Sequence, residues 1–396
     1  MTTLVQTKAR SPGMAVWKAV LLMLPAALLS SLTWLGNLMS GEIDPLIVIA
    51  LVASWLGFTV LFVLMLTTGK THRYRSIMFI LTAIALPLDF IPYMVETYGS
   101  MMLTEDVMFS GGASFCPLTM PMVIVPALLK GVVIFPGEIL PGTAKGAFSI
   151  MFILWVGASL AVGRGWCSWG CFYGGWDELF SRLRKKPLIK HKQIDSRWRY
   201  LPFAVLLAIV LLSAITFSPI YCEWLCPFKA VTEFQAPSSA LAVVQVTIFA
   251  LLFIGLVVVL PLLTRRRIQC GLFCPFGAMQ SFLNKINIFE VRIDLEKCTQ
   301  CEKCIRECPT FSLDESSLES GKPLMTCTKC AQCVDTCPQG AIAYHIKGTP
   351  LRANSTVAKV LFLYPAYILL MFLGAGSVAA ALYRILMLVT TGSMLH

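Results

Sequence analysis

The sequence predicts a polytopic α-helical membrane protein of about seven spans, interrupted near its C-terminal end by a small α+β insert rich in cysteine. Three observations carry this. The 396 residues are 57% hydrophobic and only 13% charged, about half the charge of an ordinary soluble domain. The apolar residues gather in runs of roughly 20, the length a helix needs to cross a bilayer. Eight of the 15 cysteines fall in two identically spaced runs between residues 298 and 337.

The spans read as roughly 14–36, 45–66, 76–95, 146–163, 201–220, 241–263 and 357–378. The stretch 117–140 is apolar but broken by Pro117, Pro121, Pro126 and Pro136, which suits a re-entrant or irregular segment packed against protein. Residues 379–390 are apolar again and either extend the last helix or lie at the interface. The first apolar run lacks a small-residue cleavage site and reads as a retained span. The chain thus divides into a membrane region 1–145, a second membrane region 146–289, the cysteine-rich insert 290–347 and a C-terminal span and tail 348–396.

Basic residues orient these spans. Lys70, Arg73 and Arg75, then Arg182 to Arg199, then Arg265, Arg266 and Arg267 fall in loops on one side of a seven-span count. The alternate loops carry Glu42, Asp44, Glu96, Glu105 and Asp106. The expectation is a multi-pass protein of the bacterial inner (cytoplasmic) membrane with its N-terminus and insert in the cytoplasm. The net charge of +11 is accounted for by this anchoring and calls for no nucleic acid.

The insert carries C-x2-C-x2-C-x3-C-P twice, at Cys298, Cys301, Cys304 and Cys308-Pro309, and at Cys327, Cys330, Cys333 and Cys337-Pro338. This is the bacterial two-cluster ferredoxin spacing, in which three close thiolates hold one [4Fe–4S] cluster and the fourth reaches across to the other. The first cluster is expected on Cys298, Cys301, Cys304 and Cys337, the second on Cys327, Cys330, Cys333 and Cys308. Zinc fits this doubled pattern poorly, and disulfides are disfavoured in a reducing compartment.

A second motif repeats beside the spans: Cys167-x3-Cys171, Cys222-x3-Cys226 and Cys270-x3-Cys274, each followed by an aromatic and small residues. Residues four apart share a helical face. The proline after Cys226 and Cys274 suits the first turn of a new helix, whose free N–H groups favour an anionic thiolate–metal centre. Cys167, Cys171, Cys270 and Cys274 fall on the cytoplasmic side and supply four thiolates, enough for a third iron–sulfur cluster. Cys222 and Cys226, with Cys116, fall on the outer side. They read either as a fourth metal site or as a disulfide or free thiols. If 222–236 dips back into the membrane, the motif instead approaches the inner site.

C-x3-C motifs beside spans followed by a double ferredoxin run resemble the NapH/NosR-type membrane polyferredoxins, over about residues 146–347. Cytochrome oxidase assembly ferredoxins look similar too. The resemblance implies electron transfer between membrane quinol and a partner redox protein, and so an oxidoreductase-like, quinol dehydrogenase-type subunit. The chain departs from the family in its extra region 1–145, its third C-x3-C, the span after the insert, and Phe172 where a proline would follow Cys171. Two other readings stay open: an assembly or regulatory ferredoxin reducing a metal or cofactor for another respiratory enzyme, and a subunit of a ferredoxin-driven ion pump.

Asp89 in the third span and Glu138 in the proline-broken stretch are the candidate catalytic carboxylates, since quinol oxidation releases protons and intramembrane acids are costly; the alternative reading for each is an interfacial acid meeting water. Haem is not expected, because none of the four histidines lies within a span and C-x-x-C-H is absent. His72 reads as a solvated neighbour of Arg73 or a quinol proton acceptor. No phosphate-binding glycine loop or nucleophilic triad is visible.

Overall fold

The computed structural model describes residues 13–38, 44–97, 146–189, 195–232, 239–350 and 355–395. Cys116, Glu138 and the stretch 117–140 lie outside these residues.

Every predicted span coincides with a helix. The helices are α1 (Val16–Leu38), α2 (Pro45–Thr68), α3 (Thr71–Thr97), α4 (Gly146–Val162), α7 (Leu201–Thr216), α8 (Ala240–Thr264) and α13 (Ser355–Thr391). Five stretches among the described residues are long and apolar enough to cross a membrane, those over α2, α3, α7 with the turn before it, α8 and α13. Local chemistry sets their ends. At α2, the Asp44 carboxylate accepts from Leu46 N at 2.8 Å, Pro45 opens the helix and Gly69 closes it at φ 69°, as capping requires. Of the two readings of residues 379–390, extension of the last helix is the one observed: one 37-residue helix runs through a π-helical turn at Met371–Ala375. Half of the most apolar window in both α3 and α13 is buried, against 17–22% in α2, α7 and α8, so α3 and α13 form the centre of the bundle. The second half of α13 packs on α2 and α3, and Phe62 meets Tyr367 at a 4.3 Å ring separation.

Three short elements turn back into this bundle: α5 (Trp166–Trp169), α6 (Phe172–Arg182) and α9 (Pro275–Ile286). α6 lies along α3, and α9 along α7. The insert starts with β1 (Phe289–Ile293) and ends with β2 (Ile342–Ile346), paired antiparallel with Phe289 opposite Ile346 and Ile293 opposite Ile342. The alternating burial of β1 follows the two-residue period of a strand with one face covered. Between the strands lie α10 (Lys303–Glu307), α11 (Glu315–Ser320) and α12 (Gln332–Thr336). The sheet sits on the first half of α13, where Tyr344 stacks on Phe362 at 4.8 Å.

All three basic loops lie against the insert. Part of their charge is taken up by the fold, while Arg73, Arg184, Lys185, Lys186 and Arg197 stay exposed. Arg75 and Arg267 are 0% exposed and Arg266 is 5% exposed. Their guanidiniums hold carbonyls of the cysteine loops, as set out below. His72 likewise departs from the solvated reading: it is buried, its Nδ1 lies 3.1 Å from the Cys330 carbonyl, and its backbone N–H donates to Asp335 at 2.8 Å.

Candidate iron–sulfur sites

The two ferredoxin runs fold as copies of one device. In the first, Gln300 and Glu302 flank Cys301 with φ of 52° and 55°; in the second, Lys329 and Ala331 flank Cys330 with φ of 50° and 65°. Non-glycine residues seldom adopt this left-handed region, and alternation with it is the backbone pattern that forms concavities suited to anionic centres. The third cysteine of each run then lies in a short helix, and the fourth, Cys308 or Cys337, ends that helix in extended conformation. The fourth cysteine is thereby carried away from its own three. Cys298, Cys301, Cys304 and Cys337 together line one cavity, with Leu318, Pro338 and Ile342 among its apolar walls. Burial pushes the Cys304 thiol up to about 11, with Cys337, Cys298 and Cys301 as neighbouring charges. Burial also pushes Cys327 up to about 12, and Cys330 and Cys308 lie beside it. Such thiols stay protonated at neutral pH unless a bound metal takes the proton's place. Among the described residues no three His, Cys, Asp or Glu side chains close around a single metal ion. Four cysteines lining one cavity, in two runs with the two-cluster ferredoxin spacing, fit a multi-iron cluster.

The membrane-face motifs show a second symmetry. Arg164 precedes Cys167 by three residues, and Arg267 precedes Cys270 by three. Each arginine reaches the other motif: Arg164 Nη2 donates to the Cys270 carbonyl at 2.9 Å, and Arg267 Nη2 to the Cys167 carbonyl at 2.6 Å. Arg267 also lies 3.3 Å from the Cys270 Sγ. Three residues after each second cysteine stands a glycine. A Cβ on Gly174 would come within 2.5 Å of Arg267 Nη2 and 2.6 Å of the Cys167 carbonyl; one on Gly277 would lie 3.2 Å from Arg164 Nη2 and from the Cys270 carbonyl. The two motifs are thus clasped reciprocally, with Cys167, Cys171, Cys270 and Cys274 all buried. Cys274 caps α9, its Sγ accepting from Gly277 N at 3.4 Å, with Pro275 in the first turn.

The third motif lies closer to this site than the outer-face expectation allowed. Phe217 turns the chain at φ 53° after α7, and 217–228 folds back. Tyr221 meets Gln269 at 3.1 Å and Phe228 stacks on Tyr173 at 4.2 Å. Cys222 and Cys226 are buried beside the other motifs, but here Pro219 stands where the others have arginine and Lys229 where they have glycine.

Charged side chains join the two regions. Arg75 is fully buried and donates to the Cys330 carbonyl at 3.1 Å, to the Ser168 carbonyl at 2.7 Å and to Glu178 at 2.5 Å. Glu178 also meets Arg182 at 3.0 Å and Arg267 at 3.7 Å. Lys329, in the second ferredoxin run, donates to Val162 O, Asn284 and Asn287 at 2.8–3.1 Å, and burial pulls its ammonium down to about 7. Next to Cys270, burial raises the Asp177 carboxyl to about 7, and that carboxyl accepts from the Cys270 N–H at 2.9 Å. The roles of Arg75, Arg164, Arg267, Glu178, Gly174 and Gly277 at the site do not follow from the sequence reading above. Comparing the C-x3-C copies beyond their cysteines would have found R-x2-C and C-x2-G in two of the three. Asp89 is ion-paired with Arg384 at 3.8 Å and is one-third exposed.

A family model described as a 4Fe-4S binding domain matches residues 146–190, 198–238 and 246–294, each stretch holding one C-x3-C motif. A 4Fe-4S dicluster domain matches 290–338. Among curated proteins, the chain is 27% identical over 197 residues to the ferredoxin-type protein NapH of Escherichia coli K12, covering 49% of this chain and 61% of NapH. It is 30% identical over 199 residues to the methylamine utilization ferredoxin-type protein MauN of Methylorubrum extorquens, covering 48% and 60%. To MauN of Methylobacillus flagellatus it is 27% identical over 194 residues, covering 49% and 62%. The chain thus spans about three-fifths of the length of each of these relatives. No solved structure matches it.

Proposed function

We propose that this chain, which is similar to the ferredoxin-type proteins NapH and MauN and carries 4Fe-4S binding and dicluster domains, is a membrane-bound electron-transfer protein linking the quinone pool to a partner redox protein. Two [4Fe–4S] clusters are assigned to the ferredoxin cysteines in the sets given above, and a third to Cys167, Cys171, Cys270 and Cys274. When bound, these groups supply one-electron chemistry at potentials set by burial and hydrogen bonding. The reading places the chain in the bacterial inner membrane as seven spans, with the insert and the reciprocal arginines on the cytoplasmic side.

The observation that carries the proposal is the triple contact of Arg75. One guanidinium holds the Cys330 loop and the Ser168 carbonyl beside Cys167, so the ferredoxin site and the membrane-face site share a rigid wall. Glu178 orients that guanidinium, and Trp169, wholly buried, sits in the same wall with its Nε1 3.4 Å from the Lys329 carbonyl. Packing of this kind excludes water and holds both cysteine sets at a fixed separation. Asp89, paired with Arg384, and Glu138 are the proposed proton acceptors from quinol.

The test is anaerobic purification, iron analysis and addition of a reduced quinone analogue. About twelve irons per chain and prompt partial bleaching of the visible absorbance are expected, at four irons per cluster. About eight irons would remove the third cluster. Bleaching by dithionite but not by the quinol analogue would overturn the quinone link.

A further inference from the structure

Beside the end of the first ferredoxin run lies a basic cavity that the electron path does not use. It holds about 330 Å³ and is lined by Arg182, Arg265, Arg266 and Arg306 with a single carboxylate, Glu307. Three of those arginines are committed elsewhere. Arg182 pairs with Glu178, Arg306 donates to the Cys301 carbonyl, and Arg266 donates to the Ile305 and Cys308 carbonyls. Arg265 differs. Its buried Nε has no hydrogen-bond partner among the described residues. Its backbone takes the left-handed φ of 57° that ends α8. Four guanidiniums around one carboxylate leave an excess of positive charge, and an orphaned buried guanidinium N–H is costly to leave unmet.

The level of the cavity narrows the anion. Thr264, the last residue of the 25-residue apolar helix α8, lines it, as do Pro187 and Ile189. The Leu188 and Ile189 N–H groups donate to the Leu263 carbonyl, so this wall is fastened to the end of the apolar span. The headgroup region of a bilayer begins where such a helix ends. Planar guanidiniums bind phosphate oxygens in pairs, and basic pockets at the cytoplasmic ends of spans suit anionic headgroups.

We propose that this cavity binds the phosphate of an anionic phospholipid headgroup, with Arg265 as its principal donor. A lipid seated here would touch both the end of α8 and the Arg306–Pro309 segment, and would tie the insert to the bilayer surface beside Cys308. The inference does not depend on quinone or on the third cluster.

The test uses the intact protein in nanodiscs containing equal phosphatidylglycerol and phosphatidylcholine, released into native mass spectrometry. The wild type is expected to retain phosphatidylglycerol in preference to phosphatidylcholine. Arg265→Gln should lower that retention about tenfold, the scale of one lost charge-assisted hydrogen bond. Arg184→Gln, at an exposed arginine, should not change it. Unaltered visible absorbance checks that each variant is folded, and the wild-type lipid preference needs no variant at all. Equal retention of the two lipids, or retention unchanged in Arg265→Gln, overturns the proposal. So does saturation of the cavity by inorganic phosphate with no preference between lipids, which would identify a free anion as the occupant.

Discussion

The reciprocal clasp between the first and last C-x3-C motifs makes a graded prediction for three glycine-to-alanine changes. At Gly174 the new methyl would lie 2.5 Å from Arg267 Nη2 and 2.6 Å from the Cys167 carbonyl. Neither atom can yield freely, because the guanidinium is bonded to that carbonyl at 2.6 Å and to Ser168 Oγ at 2.8 Å. Overpacking costs about 1–3 kcal/mol, and a lost hydrogen bond to a charged group adds about 1.5–3 kcal/mol. The better helix propensity of alanine returns about 1 kcal/mol. Gly174→Ala should therefore destabilise the site by roughly 2–5 kcal/mol on these figures. At Gly277 the nearest atoms are 3.2 Å away, so a few tenths of an ångström of movement suffices and the cost should stay near or below about 1 kcal/mol. At Gly255 nothing lies within 4 Å, and alanine should be neutral or slightly stabilising. The assay is iron and acid-labile sulfide per chain with low-temperature electron paramagnetic resonance of the dithionite-reduced protein. Gly174→Ala should lose about four irons while keeping the coupled two-cluster ferredoxin signal, and Gly277→Ala should lose far less. Full iron in Gly174→Ala, or equal losses in all three, would refute the clasp.

Three further outcomes follow from the same geometry. Arg75→Met should destabilise the protein by about 1.5–3 kcal/mol, because it removes the 2.5 Å partner of the buried Glu178 while Arg182 and Arg267 still compensate its charge. Arg75→Lys should rescue little, since an ammonium cannot serve three acceptors set in a guanidinium fork; thermal unfolding in detergent would measure both. Cys222→Ser and Cys226→Ser should leave about twelve irons in place, because their motif lacks the arginine and glycine of the other two; a loss of iron would show that these cysteines hold metal. Burial raises the Asp335 carboxyl to about 6, against the His72 N–H that it accepts. A raised acid favours the folded state below its unfolded pKa, near 4, and that contribution is lost as pH rises through about 6. The unfolding temperature should therefore fall between pH 5 and pH 7, and Asp335→Asn should flatten that slope.

The architecture and the principal cysteines could be read directly from the chain, for reasons of periodicity and spacing. Apolar runs of bilayer length announce helices whatever they later pack against, and each of the seven expected runs coincides with one. The spacing C-x2-C-x2-C-x3-C is the two-cluster ferredoxin pattern, whose fourth cysteine ligates the other cluster. The structure gathers Cys298, Cys301, Cys304 and Cys337 around one cavity. Composition could not foretell how the charges are used. Arg75, Arg266 and Arg267 looked like lipid-facing anchors because hydropathy and loop charge record a residue's position along the chain and not its partner. The folded protein buries them against carbonyls contributed from residues 39 to 255 positions away in sequence. The third C-x3-C was assigned to the outer side by counting spans, a count that cannot register the left-handed turn at Phe217 returning Tyr221 to Gln269. Local pattern settles which segments are helical and which thiols are spaced for iron. Which cation faces which carbonyl, and how deep a motif sits, follow from long-range contacts that form only when α3, α6 and α13 close around one another.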